Sequence, residues 1–173
     1  MAILEIISDS GNFEIQLCED HAPATCAYFA YLARSGFLDA SSIFRIVAPA
    51  NQRPDNPCPI NVVQMGPAQA LKGTRHRIRH ENTKITGISH KKWTVSAARF
   101  NRQQLYGNLF ICMRDEPSLD FGGARQPDGQ GFAAFGKVVS GFDTLEGVFG
   151  MAESNEFLRE PIPIRAVRLI NDK

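Results

Sequence analysis

No stretch of this chain approaches the roughly 20 consecutive apolar residues that a membrane-crossing helix needs. Cysteine is scarce: Cys18, Cys26, Cys58 and Cys112 are widely scattered, with no CxxC pair. Neither a disulfide framework nor a zinc ribbon is indicated, and free thiols in a reducing compartment are expected. Charge is nearly balanced, with a formal net of +1 at pH 7, which gives no global pull toward nucleic acid or membrane. The G-x-S-x-G elbow common among serine hydrolases does not occur. Met1-Ala2-Ile3-Leu4-Glu5-Ile6-Ile7 is apolar but interrupted by Glu5, and Asp9 and Gly11 follow. With neither a basic leader nor a long apolar core, no secretory signal is expected. These gaps together predict a cytoplasmic protein with no membrane segment.

What is present suits a single domain, 1–173, with a substantial core, since 43% of the residues are hydrophobic. Ile3–Ile7 and Asn12–Leu17 flank Ser8-Asp9-Ser10-Gly11 and read as a β-hairpin. Phe13, Ile15 and Leu17 alternate with Glu14 and Gln16, so one face of the second strand is wet. A helix begins at His21-Ala22-Pro23, repeats Cys26, Phe29, Leu32 and Ala33 at helical spacing, and ends at Gly36. It is expected across one mouth of a sheet or barrel. Ser42–Val47, Ile60–Gln64, Thr94–Ala98 and Ile162–Ile170 read as further strands, and Phe142–Val148 as a short helix. Ala48–Pro59, with Pro49, Pro54, Pro57 and Pro59, reads as a long loop held by local turns.

Three features invite function and carry little of it. Lys72, Arg75, Arg77, Arg79, Lys84, Lys91 and Lys92 stand against one acid, Glu81. Without interleaved aromatics for base stacking, a solvated loop face is the simpler account, and nucleic acid is not an expected partner. His76 and His80 have the spacing of zinc ligands on a helix. Arg77 and Arg79 between them would oppose a metal, and none is expected. Gly129-Gln130-Gly131-Phe132-Ala133-Ala134 fits a dinucleotide fingerprint, but a loop precedes it and a strand-like run follows, which is the wrong context. His21 and His90 read as ordinary loop histidines.

The chain is organised around Asn108-Leu109-Phe110-Ile111-Cys112-Met113 and its echo, Gly131-Phe132-Ala133-Ala134-Phe135-Gly136-Lys137-Val138-Val139. Both read as buried strands. Between them, Pro117–Gly123 and Arg125–Gln130 form a loop rich in Gly, Pro and Asp. This block closely resembles the cyclophilins, the peptidyl-prolyl cis-trans isomerases, in their bacterial form. The resemblance is strongest in Leu109–Met113 and Ser118–Val139. Weaker matches at Phe44-Arg45-Ile46-Val47, Val62-Val63-Gln64 and Thr94–Arg99 come in the same order. About eight strand candidates fit a barrel or a sandwich. The resemblance selects a mainly β fold, a closed eight-stranded antiparallel barrel capped by two helices.

On residue pattern alone, Arg45 shares a strand face with Ile43 and Val47 and snorkels to water at the strand end. The resemblance gives it another role, that of the family's catalytic arginine. It likewise implies that Gln64 holds the substrate backbone and that Phe110 floors a proline pocket. Val62 and Leu119 become its walls, Ala98 and Asn108 its peptide contacts, and Phe132 a further substrate-binding position. No cofactor is implied. The expected partners are proline-containing peptides or unfolded chains, bound by a monomer. The alternative is a proline-peptide-binding module with little turnover. Several positions depart from the common pattern. Asn61 stands for Phe, Val62 for Met, Met65-Gly66 for Gly-Gly, Ser118 for Trp, and Phe132 for His or Tyr. The loss of Trp implies weak binding of cyclosporin-like ligands.

Overall fold

The computed structural model describes residues 1–171. Nine strands appear: β1 (Ala2–Ser8), β2 (Gly11–Leu17), β3 (Ser41–Val47), β4 (Val62–Pro67), β5 (His76–Arg77), β6 (Thr94–Arg99), β7 (Gln104–Cys112), β8 (Ala133–Ser140) and β9 (Phe157–Asn171). The antiparallel order β4-β3-β9-β1-β2-β8-β6-β7 closes through a β4–β7 ladder into an eight-stranded barrel. The two-residue β5 adds to the outside of β7. Closure pairs both edges of each barrel strand and leaves no long free edge.

The N-terminal hairpin of β1 and β2 forms where alternation predicts it. Phe13, Ile15 and Leu17 point inward and are buried, while Glu14 and Gln16 face outward. Helix α1 (Pro23–Arg34) sends Cys26, Phe29, Leu32 and Ala33 into the barrel core, with Phe29 stacked on Phe135 of β8 at 4.4 Å between ring centroids. Helix α3 (Phe142–Phe149) adds Leu145 and Val148 to the same core. The expected two capping helices are joined by a third. This is α2 (Thr83–Thr86), a single turn whose N-cap Asn82 side chain accepts from the Ile85 N–H and whose C-cap Gly87 is left-handed. One turn is too short to show a helical period, so pattern reading passes it over.

A correction concerns β3. Simple alternation puts Ile43, Arg45 and Val47 on one face. In the structure the register skips Phe44 against β4, pairing Ile43 with Met65 and then Arg45 with Gln64. That bulge sends Ile43 and Ile46 into the barrel core and leaves Val47 with an outer apolar cluster. Phe44 is buried outside the barrel against Phe157, with ring centroids 6.3 Å apart. The molecule thus has two apolar cores, one inside the barrel and one on its outer wall.

The basic segment is anchored by its one acid. Glu81 is 3% exposed, and its carboxylate accepts from Ala24 N–H, Thr25 N–H and Thr25 Oγ1 at 3.1, 2.9 and 2.7 Å. Ala22 offers α1 no side-chain cap, so a residue far along the chain supplies one. Glu81→Ala is expected to lower the unfolding free energy in urea by about 2 kcal/mol with an unchanged m-value. A loss below about 0.5 kcal/mol would remove the capping role.

Candidate functional site

Three neighbouring strands carry the site as a row. Arg45 of β3 pairs with Gln64 of β4, and Gln64 pairs with Phe110 of β7. The next row repeats the arrangement with Val47, Val62 and Cys112. Side chains on a common face of adjacent strands stand side by side, so register alone places a cation, an amide and a phenyl ring in line. The outer cluster of Val47, Ile60, Val62, Ala98, Phe110, Leu119 and Phe132 surrounds that row.

Arg45, Gln64 and Phe110 line a half-open cavity of about 320 Å³ with Ile60, Val62, Ala98, Leu119 and Phe132 of that cluster. Of the eight residues that the sequence nominates, Arg45, Val62, Gln64, Ala98, Phe110, Leu119 and Phe132 line it. Asn108 does not. Its side chain is wholly buried, with Nδ2 3.5 Å from the carbonyl oxygens of Pro67 and Tyr106. It fills the space above Gly66, where φ is +150° and an added Cβ would meet the Asn108 Cγ at 2.5 Å. That close approach also explains Met65-Gly66: the glycine is required at 66, whereas Met65 points into the barrel core.

The polar rim is more elaborate than the sequence suggests. Arg45 Nη1 donates to Gln64 Oε1 at 2.9 Å, and Gln64 Nε2 donates to the Tyr106 hydroxyl at 3.1 Å. On its other side, Arg45 Nε and Nη2 both meet Glu156 Oε1, at 3.2 and 3.1 Å. The guanidinium also lies 5.6 Å from the centroid of the Phe157 ring. Arg45 therefore remains at the cavity edge, partly open to solvent, with its orientation fixed from two sides. Burial pushes the Tyr106 hydroxyl above its usual pKa, so it stays protonated as a donor or acceptor at neutral pH. Tyr106, Glu156 and Arg125 were not nominated. Glu156 lies in sequence more than a hundred residues from Arg45, and no local pattern links them.

The floor ring of Phe110 is clamped. Phe132 meets it edge-on at 5.4 Å, and His90 stacks nearly parallel to it at 6.2 Å. His90 is not an ordinary loop histidine: it is 1% exposed, with Nδ1 2.7 Å from Asp120 Oδ1 and Nε2 2.9 Å from Ser96 Oγ. Asp120 also accepts from the His90 backbone N–H at 2.9 Å. These bonds tie the loop between β7 and β8 to the barrel wall. The same loop lays Leu119 and Phe132 over the cavity, joined by a 3.0 Å bond from Phe132 N–H to Leu119 O. Arg99 supports Phe132 through Gly131 O and Asp128. Asn61 faces elsewhere, its backbone N–H and its side-chain amide both donating to the buried Glu116 carboxylate.

The remaining motifs have structural occupations. His76 Nδ1 is bonded to the Tyr28 hydroxyl and His80 Nε2 to Gln130 O. Among the described residues, no group of three or more His, Cys, Asp or Glu side chains is placed to hold a metal. Gly129–Ala134 leads from a loop into β8, with no helix to receive a phosphate. Among the described residues no helix is long and apolar enough to cross a membrane.

A small closed barrel with a guanidinium set beside an apolar pocket on its outer wall defines a cyclophilin-like protein. Residues 3–169 match the family described as cyclophilin type peptidyl-prolyl cis-trans isomerase/CLD, and the chain belongs to that family. It is 25% identical over 171 residues to peptidyl-prolyl cis-trans isomerase cyp18 of Streptomyces antibioticus, covering 96% of this chain and 95% of that one. It is 24% identical to peptidyl-prolyl cis-trans isomerase B of Escherichia coli over 90% of this chain and 89% of that one. Among solved structures, a Cryptosporidium parvum cyclophilin-type isomerase aligns over 99% of this chain and 98% of its own, with a TM-score of 0.76 at 17% identity. The same protein has been solved in the presence of the dipeptide Ala-Pro. At such identity the structural likeness speaks for the fold.

The His90–Asp120 tie has a pH signature. Burial raises the Asp120 carboxyl, but the His90 hydrogen bonds and charge outweigh it and hold the group below its ordinary 3.8. A carboxyl depressed in the folded state stabilises it above the ordinary value and loses that contribution as pH falls through the folded one. The stability gap between wild type and Asp120→Asn should therefore be widest near about pH 7 and shrink below about pH 4. Urea melts at several pH values test this, and a gap independent of pH would refute the assignment.

Proposed function

We propose that this chain is a peptidyl-prolyl cis-trans isomerase that accelerates X-Pro rotation by binding the twisted amide more tightly than either planar form. The observation that carries the proposal is the row Arg45–Gln64–Phe110 on three paired strands, opening on one apolar cavity. Family membership and the names of its relatives support the same activity.

Rotation about an amide must cross roughly 18–20 kcal/mol, because the twisted state loses its resonance. Proline makes both isomers accessible, yet uncatalysed exchange takes on the order of tens to hundreds of seconds. No bond breaks, so the reaction calls for differential binding. In the twisted amide the prolyl nitrogen regains a lone pair that can accept a hydrogen bond. Arg45 supplies a donor that stays charged at neutral pH, and N–H groups remain on both its terminal nitrogens beyond those given to Gln64 and Glu156. Its attraction grows as the lone pair develops, which favours the transition state over the ground state.

The other roles follow from position. Phe110 would receive the proline ring, with Val62, Leu119 and Phe132 as walls and Ala98 as a small contact that admits the backbone. Gln64, already oriented by Tyr106, would hold the substrate's main chain. Asn108 would act through its neighbours, since it lies outside the cavity lining. We propose that the chain works as a single domain and a monomer on proline-containing peptides or unfolded chains. Four free cysteines support a reducing, cytoplasmic setting.

The test is an exchange measurement on a short X-Pro peptide, made by NMR without a coupling protease. Arg45→Ala should slow catalysed exchange by about 10²–10³-fold. Arg45→Lys should recover only part of this, because an ammonium cannot serve Gln64, Glu156 and substrate with one planar fork. An unchanged rate in Arg45→Ala would defeat the mechanism. Peptide-induced shifts near Phe110 without any acceleration would select the binding-module reading instead. Glu156→Ala should slow exchange by about tenfold by releasing the guanidinium. It should cost less than about 1 kcal/mol of stability, since the pair is partly exposed. Glu156→Gln, which keeps an accepting oxygen, should lose less rate than Glu156→Ala.

A further inference from the structure

The stretch from Lys72 to Lys92 keeps its positive excess after folding. Glu81, its one acid, is turned inward onto α1. Lys91 and Lys92 find Asp115 and Glu146, and Lys84 lies over Phe121. Among the described residues, Arg75, Arg77 and Arg102 have no carboxylate partner. These three are exposed and line one cleft of about 340 Å³ with His76, Gln103 and Gln104. No acidic side chain lines it.

The cleft is built by the backbone. Strand β5 places His76 and Arg77 opposite Leu105 and Gln104 of β7, and Ile78 N–H bonds to Gln103 O at 3.2 Å. Gln103, at a φ of +65°, makes the turn that brings Arg102 round to the same side. His76 is held from beneath by the Tyr28 hydroxyl. Three guanidinium groups around one hollow repel one another, and planar forks of that kind match carboxylates.

The cleft also connects to the cavity. The Arg75 guanidinium lies 3.5 Å from the centroid of Phe100, and Phe100 packs against Tyr106 at 4.4 Å. Tyr106 lines the proline cavity and orients Gln64. A chain seated in the cavity therefore has a basic surface next to it, past a single aromatic contact. Phe100, the ring beside the cleft, is already covered by Arg75 and does not offer its face to a nucleobase, which favours a peptide over a nucleic acid.

We propose that the Arg75–Arg77–Arg102 cleft binds an acidic stretch of the client chain, so that the substrate class is proline segments flanked on one side by Asp or Glu. The proposal rests on the isomerase reading for the proline half of the contact. The electrostatic half stands separately and is measured as affinity.

The experiment uses one Ala-Pro peptide in three forms: neutral, with glutamates on its N-terminal side, and with glutamates on its C-terminal side. Each is titrated by NMR into wild type and into the Arg77→Gln, Arg102→Gln double variant at low salt. Both residues are exposed and outside the proline cavity, so the variant should fold and exchange the neutral peptide as wild type does. One acidic form should bind wild type about fivefold more tightly than the neutral form, and the gain should vanish in the variant and in high salt. No gain, an equal gain from either side, or a gain retained in the variant would overturn the proposal. So would a single-stranded RNA that binds with a steep salt dependence and is not displaced by the acidic peptide. Failure of the isomerase reading would appear differently, as neutral-peptide exchange that wild type does not accelerate.

Discussion

A single skipped residue in β3 sets the geometry of the site. Had the strand kept strict alternation, Arg45 would have pointed with Ile43 into a barrel interior filled by Phe13, Phe29 and Phe135, where a guanidinium has no solvent and no counter-ion. The bulge at Phe44 turns Arg45 outward while returning Ile46 to the core. The cost is an outward phenyl ring, and the structure offsets it by covering Phe44 with Phe157. Phe157 in turn underlies the guanidinium. The same irregularity runs into β9, where Ile43 pairs with Ile162 and Arg45 with Phe157, so four residues of β9 are passed over. That excursion belongs to the segment that carries Glu156 to Arg45. Backbone register, aromatic cover and ion pair are thus one arrangement, and a change to any of them reaches the Arg45 guanidinium.

The two cores divide the work. The inner one holds the barrel round and fixes which residues of β3, β4 and β7 stand in line. The outer one is a working surface, left half open. The loop between β7 and β8 completes it, and polar ties hold that loop: Asp120 to His90, Glu116 to Asn61, Asp128 to Arg99. A reaction without covalent steps depends on a pocket that does not rearrange as the amide twists, because preorganised donors spend no energy reorienting during the crossing. The buried His90, stacked under Phe110 and bonded at both ring nitrogens, gives the pocket floor that rigidity.

Much of this could be read from the residues, and the misses share a cause. Alternation located the hairpin, and apolar spacing located α1. The two apolar runs marked β7 and β8, and the family resemblance nominated seven residues that do line one cavity. Each of these rests on neighbours in sequence or on a motif. The bulge, the Arg45–Glu156 pair, the Glu81 cap on α1 and the burial of His90 all join residues far apart in the chain, and none leaves a local trace. Asn108 shows the opposite limit: its strand position is right, but the tight approach of Gly66 seals it beneath the surface.

The same contacts weigh on whether the departures from the common cyclophilin pattern disable the site. Met65 points inward and adds to the barrel core, while the glycine that close packing demands is kept at 66. Asn61 donates to Glu116 from its backbone N–H and its side-chain amide. Phe132 takes an edge-on place against Phe110, under the Arg99 guanidinium at 5.3 Å. None of the three is a hydrogen-bond partner of the Arg45 or Gln64 side chain, whose partners are each other, Glu156 and Tyr106. A module that binds proline without turning it over would follow from changes that displaced the guanidinium from the pocket edge. The changes here reshape the walls and the loop behind them and leave the Arg45 guanidinium at the cavity edge, held by Gln64 and Glu156, so they bear on the shape of the pocket more than on the placing of that cation.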